Sequence, residues 1–153
     1  MTPLDAFDLA ILRILQRDNQ TPQRAIGEAV HLSAPSVQRR IRRMEAEGVI
    51  RANVVIVSPD SVGLPLTIIV EVELVAETPE EIDAAKERFR SAPEVQQCHY
   101  VTGEADFILT LVVASMSAYE DFTRRAFFGA GNVRKFRSFV SMGEVKSGVA
   151  LNI

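Results

Sequence analysis

A chain of 153 residues suffices for one ordinary domain or for two small ones, each needing help to bury a sufficient core. With 47% hydrophobic and 24% charged residues it reads as a soluble globular protein, and no apolar run approaches the length that spans a bilayer. The single cysteine, Cys98, excludes an intramolecular disulfide and a cysteine-cluster metal site. The opening "MTPLDAFDLA" lacks the basic and apolar regions of a secretory signal, so a cytoplasmic location is expected. The formal net charge of -3 is unevenly spread: residues 1–55 hold eight Arg against six Asp/Glu, whereas residues 56–153 hold nine Lys/Arg against fourteen. That asymmetry predicts two modules with different partners.

Three helices fit in the first fifty residues. "DAFDLAILRILQR" repeats apolar positions at Phe7, Ile11, Ile14 and Leu15, with Asp5 as N-cap. A second helix, about Pro22 to Val30, has Thr21 as its expected N-cap and buries Ala25, Ile26 and Ala29 or Val30. The third begins at the N-cap Ser33 and runs to Glu47, with Gly48 where a helix ends in a left-handed residue.

Projecting the third helix at 100° per residue puts Val37, Ile41 and Met44 toward the core and Arg39, Arg42 and Arg43 on the opposite side. Pro35, Ser36 and Gln38 lie on or beside that outer arc, while Arg40 flanks the core and is placed for an intramolecular ion pair. A cationic face is often merely solvated. Here it sits on the second helix of a helix-turn-helix whose connection, "AVHLS", is only a few residues, the geometry that inserts a recognition helix into the major groove. Arginine pairs with phosphates and forks onto guanine edges, so double-stranded DNA is the expected partner. After Gly48, "VIRANVVIV" has the β-branched content of a strand, and Arg51 there could touch the phosphate backbone, which would make the module winged.

"VSPDSVGLP", residues 57–65, has the composition of a hinge. The domains are therefore expected at 1–52 and 65–153, with 53–64 as strand and linker. "TIIVEVELV" alternates, with Ile68, Val70, Val72 and Leu74 on one face. Thr78 and Glu81 form a capping box before a helix whose apolar face is Ile82, Ala85 and Phe89. "VQQCHYVTGEADFILTLVVAS" reads as two strands turning at Gly103, and Ser117 with Glu120 as the capping box of another helix, ended by "FFGAG". A last strand covers about "VRKFRSFVSM". The order is βαββαβ, so the whole is α+β: a winged helix-turn-helix followed by a ferredoxin-like domain. Helices cover one sheet face only, yet Ile108, Val112, Leu109 and Leu111 make both faces of the central strands apolar. A second subunit is the economical cover. No nucleotide fingerprint, P-loop, zinc signature or nucleophile elbow occurs, so no cofactor, metal or catalytic residue is expected and the chemistry is binding.

"LDAFDLAILRILQ", "LSAPSVQRRIRRMEAEGVI" and "VTGEADFIL" followed by "MSAY" together resemble the leucine-responsive/asparagine-regulator (Lrp/AsnC) family of transcription factors over nearly the whole chain. His31 departs from the pattern, since that turn usually carries glycine. The resemblance implies sheets facing each other in a homodimer, with dimers assembling to tetramers or octamers, and an amino-acid effector held between subunits. The matching turn residues are Gly103, Glu104 and Asp106, with Phe139, Val140 and Ser141 as neighbours across the interface. A carboxylate there could hold a ligand ammonium, and free N–H groups at the turn its carboxylate. Glu104 stands where aspartate is commoner, and Ser141 where an apolar residue is usual. Two other readings share the fold. His99 and Tyr100 invite comparison with sirohaem decarboxylases, which the intact arginine face opposes, and an effector module without DNA binding predicts no salt-sensitive affinity for DNA.

Overall fold

The computed structural model describes residues 3–153, and the chain divides into two units: residues up to Ile56 together with Lys146–Ile153, and Val57–Val145. The second boundary differs from expectation, because the last eight residues belong with the first unit instead of with the sheet domain.

In the first unit, Asp5 caps α1 (Ala6–Leu15) through a reciprocal box in which the Asp5 carboxylate accepts from the Asp8 amide and the Asp8 carboxylate accepts from the Asp5 amide. Next come α2 (Gln23–Val30) and α3 (Ala34–Ala46), the latter capped by Ser33, whose hydroxyl accepts from the Ser36 amide. Ile11, Ile26, Val30, Val37 and Met44 form the core where the three helices meet, and Ile41 packs against it. Helix α2 starts one residue later than expected: extended Pro22 occupies the cap, and no side chain caps the helix. Of the residues expected to be buried, Ile26 and Val30 are, whereas Ala25 and Ala29 are exposed.

The expected wing is not formed. Residues 51–58 have no regular secondary structure, and Val54, Val55 and Ile56 are 69%, 83% and 79% exposed. β-branched content favours a pleated surface but supplies no hydrogen-bond partner, and among the described residues this unit contains no strand to pair with.

The second unit is the expected βαββαβ: β1 (Leu66–Leu74), α4 (Pro79–Ser91), β2 (Val95–Tyr100), β3 (Phe107–Val113), α5 (Met116–Thr123) and β4 (Val133–Val140). The strands lie in the order β2-β3-β1-β4, each antiparallel to its neighbour. Helix α4 is capped by Thr78. Helix α5 is capped by Ser115, two residues before the expected Ser117, and continues into a π turn at Arg124–Phe128. Arg88 of α4 donates to the Ala126 carbonyl of that turn at 3.2 Å. Alternation sends Ile68, Val70, Val72 and Leu74 with Phe107, Leu109, Leu111 and Val113 onto the helix-covered face, where Phe89, Phe122 and Phe127 pack on them. Buried Tyr119 of α5 shares a hydrogen bond with Ser138 of β4. The opposite face carries Ile69, Ile108, Val112 and Phe139; Ile69 is 40% and Phe139 50% exposed. No helix among the described residues is long and apolar enough to cross a membrane.

Candidate nucleic-acid interface and effector turn

Helix α3 sorts its arginines by what α1 offers them. Asp8 of α1 is fully buried at the contact with α3, and an uncompensated carboxylate there would be costly. Arg40 answers it: one guanidinium nitrogen lies 2.7 Å from Asp8 Oδ1 and 2.8 Å from Asp5 Oδ2. Arg43 takes the other oxygen, at 2.5 Å from Asp8 Oδ2. Burial alone would raise the Asp8 pKa; the Asp5 amide and the two guanidiniums outweigh it, and the carboxyl is held below its ordinary range. Arg40 also stands 5.6 Å over the Phe7 ring, which accounts for an aromatic that lies half outside the core.

Arg40 thus makes the ion pair expected of it. Arg43, expected on the outward arc with Arg39 and Arg42, turns instead to Asp8 and is largely covered. Arg39 and Arg42 remain exposed on the outer face, Arg39 making one weak contact, 3.4 Å, to Ser36 Oγ. Neither has an ion pair among the described residues, nor has exposed Arg51. Pro35 is exposed and Ser36 and Gln38 half-exposed beside them.

Two backbone positions fix the angle between α2 and α3. His31 ends α2 in the left-handed region, φ 58 and ψ 42, with its N–H returning to the Gly27 carbonyl. It is the only non-glycine residue with positive φ among those described, a position where a β-carbon is strained. Gly27, which sequence reasoning passed over, is buried against that turn, and a β-carbon on it would stand 2.4 Å from the Leu32 carbonyl oxygen. The signal was available: a glycine inside a short helix weakens it unless something approaches closely.

In the sheet unit, Gly103 turns between β2 and β3 with φ +127 and open space where its β-carbon would be. Asp106 closes the turn. Its N–H donates to the Val72 carbonyl, its carbonyl accepts from Val101, and its Oδ2 accepts the Leu74 amide at 2.7 Å. The β1–β3 ladder ends at Val72 opposite Phe107, so the Leu74 amide lies just beyond it and takes the Asp106 carboxylate as its partner. Glu104, by contrast, is exposed. It lies 3.5 Å from a guanidinium nitrogen of Arg137 on β4, whose Nε is 2.7 Å from Glu71 of β1. Glu71, Val101, Thr102, Glu104, Ala105, Ile108 and Arg137 line an open pocket of about 350 Å³. Arg137 was missed from the sequence, although strand alternation sets it on the same face as Phe139.

Phe139, Val140 and Ser141 stand elsewhere. They pair with Ile69, Ile68 and Thr67 of β1, whereas the turn lies beside Val72 and Leu74 at the strand's other end. Within one chain they are not part of the turn's pocket. His99 is exposed opposite Ile108, and the half-buried Cys98 thiol is pushed up by burial. No group of three or more His, Cys, Asp or Glu among the described residues could hold a metal.

A helix-turn-helix with an outward arginine face, followed by a ferredoxin-like unit with a pocketed turn, defines a DNA-binding regulator with a ligand-binding domain. Residues 4–45 match the AsnC-type helix-turn-helix domain and residues 67–151 the Lrp/AsnC ligand binding domain. The chain belongs to the Lrp/AsnC family of transcriptional regulators. It is 41% identical to an HTH-type transcriptional regulator of Sinorhizobium fredii over 150 residues, 98% of this chain and 89% of that one. An AsnC family transcriptional regulator from Agrobacterium tumefaciens superimposes with a TM-score of 0.90 at 30% identity, covering 97% of this chain and 96% of that one. A Neisseria meningitidis transcriptional regulator in complex with L-Met does so with a TM-score of 0.87, also at 30% identity and with the same coverage. These likenesses favour the regulator over the decarboxylase reading.

Proposed function

We propose that this protein is a cytoplasmic, non-enzymatic regulator that binds an operator as a homodimer and responds to an amino acid. The observation that carries the DNA reading is the division of labour on α3: Arg40 and Arg43 are committed to Asp8, and Arg39 and Arg42 are left outward and uncommitted beside Pro35, Ser36 and Gln38. Arg51, just beyond the helix, supplies a phosphate contact. Dimerisation is supported by the half-exposed apolar face of Ile69, Ile108, Val112 and Phe139 and by the exposed run Val54–Val57, which has no strand partner among the described residues. Dimers assembling to tetramers or octamers would follow the family.

For the effector, the pocket at the turn assigns roles by exposure. Glu104 takes the ligand ammonium and Arg137 its carboxylate, each exchanging the other's long 3.5 Å contact for a shorter one. Gly103 keeps the backbone open, Asp106 holds the turn to β1, and Phe139, Val140 and Ser141 would complete the site from a second subunit. That a similar protein was solved with L-Met makes an amino acid the ligand class to screen.

Binding to a duplex selected from a random pool, measured by fluorescence anisotropy, tests the DNA reading. With roughly six to ten phosphate contacts, affinity should fall on the order of 10³ to 10⁵ between 50 and 200 mM salt. Affinity flat with salt would sink it. Sedimentation of the full chain at micromolar concentration tests the dimer, and a stable monomer would contradict it.

A further inference from the structure

Lys146–Ile153 folds with the helix-turn-helix unit although it follows β4 of the sheet unit in the chain. Three hydrogen bonds to the end of α1 hold it. Gln16 Nε2 donates to the Leu151 carbonyl at 3.2 Å while the Leu151 N–H donates back to Gln16 Oε1 at 2.6 Å. Arg13 Nε donates to the Ile153 carbonyl oxygen at 2.5 Å. One side-chain amide thus satisfies both backbone groups of a single residue, as a neighbouring strand residue would. Side-chain burial is confined to Ile153, which is 36% exposed, whereas Val149 is 79% and Leu151 72% exposed. A contact built from a few exposed hydrogen bonds belongs to the least stable part of a fold, so it can open while the three-helix core stays intact. Arg13 is exposed and lies in the last turn of α1.

We propose that residues 147–153 are a releasable latch, docked on Arg13 and Gln16, that gives the DNA-binding unit a second tether besides the linker. The inference rests on operator binding by a dimer for its consequence but not for its contact. Residues 51–58 have no regular structure within one chain, so the linker by itself does not fix how the DNA-binding unit turns about it. With the latch open, the two recognition helices would tolerate shifted half-sites; with it closed, spacing is read strictly.

Hydrogen exchange on the full chain, without DNA, tests the contact. The Leu151 amide should exchange about tenfold or more faster in the Arg13→Ala, Gln16→Ala double variant than in wild type, alanine being a good helix former that leaves α1 intact. Equal exchange rates would overturn the latch. The consequence is read on a selected duplex and on the same duplex with two base pairs, about 7 Å, inserted between its half-sites. The affinity lost on insertion should be about tenfold smaller for the double variant, and for a chain ending at Lys146, than for wild type. Equal losses would overturn the spacing role. Failure of wild type to bind any selected duplex would count against the operator reading, while the exchange experiment would still decide the latch.

Discussion

The Asp8–Arg40–Arg43 cluster of the helix-turn-helix unit and the Glu71–Arg137–Glu104 cluster of the sheet unit are built from the same two functional groups, and solvent sets them to different tasks. Asp8 has no exposed surface, and both its oxygens are engaged by guanidiniums that are themselves 21% and 31% exposed. In such surroundings the attraction is poorly screened, and removing one partner strands the other. Glu104 is 89% and Arg137 44% exposed, so their contact is screened and easily exchanged. The first cluster fixes α1 against α3 and thereby aims Arg39 and Arg42. The second adds only a screened pair between β1 and β4 and leaves Glu104 and the outer nitrogen of Arg137 available to a zwitterion.

The largest test of this contrast is Asp8→Ala. Breaking a buried pair by removing one member costs about 3 to 5 kcal/mol, and the partial exposure of both arginines argues for the lower end. Denaturation followed by circular dichroism should show the helix-turn-helix unit losing about 3 kcal/mol; a loss within about 0.5 kcal/mol, ordinary for a surface substitution, would erase the distinction. The pH dependence has a definite sign. Because the folded Asp8 pKa lies below its unfolded value, its stabilisation is fully present above the ordinary carboxylate range and is lost as pH falls through the folded pKa. Acid should therefore loosen this unit, and Asp8→Ala should show a weaker acid transition than wild type.

A smaller effect separates two neighbours on one helix. Arg42→Ala should weaken operator binding by about 1 to 3 kcal/mol if its contact is bidentate to a base, with the melting temperature nearly unchanged. Arg43→Ala should do the reverse in kind, lowering the melting temperature because Asp8 loses a partner. If the two variants behave alike in both assays, the sorting of arginines by Asp8 is wrong.

That sorting was only half legible in the sequence. The arc of Val37, Ile41 and Met44 located the core side and left Arg40 beside it, so an internal pair for Arg40 followed from the helical period alone. Its partner did not, because Asp8 lies 32 residues away and meets Arg40 only through the crossing of α1 and α3. Arg43 was misplaced because a helical projection treats a side chain as a radial vector, whereas a long aliphatic stem lets the guanidinium bend back over its own helix. The wing failed differently: "VVIV" has the composition of a strand, but a ladder is a property of two segments. In the sheet unit the local signals carried further, giving every strand and sorting the two faces of β1, though not which of them the helices cover. Arg137 escaped notice because its neighbour Glu104 belongs to the loop between β2 and β3, a proximity set by strand order that no local pattern records. The tail escaped for a related reason, being held by backbone groups that its side chains do not advertise.

The smallest structural effect should come from Arg137→Ala. Its pairs with Glu71 and Glu104 are partly or largely exposed, and such pairs contribute about 0 to 1 kcal/mol. Stability should therefore barely move, in contrast with Asp8→Ala. Ligand binding should respond strongly, because a zwitterion in the pocket would lose the cation for its carboxylate while Glu71 and Glu104 repel that same group. Calorimetric titration of an amino acid found by thermal-shift screening against wild type should detect no binding to Arg137→Ala, and weakened binding to Glu104→Gln, in which a charge-assisted bond becomes a neutral one. Asp106→Asn gives the control for the turn itself. Asparagine can still accept the Leu74 amide through its carbonyl oxygen, so the turn survives and affinity should fall less than in Arg137→Ala. Were Asp106→Asn to abolish binding while Arg137→Ala did not, the ligand would be held by the buried side of the turn, and the exposed cluster would be a screened surface pair.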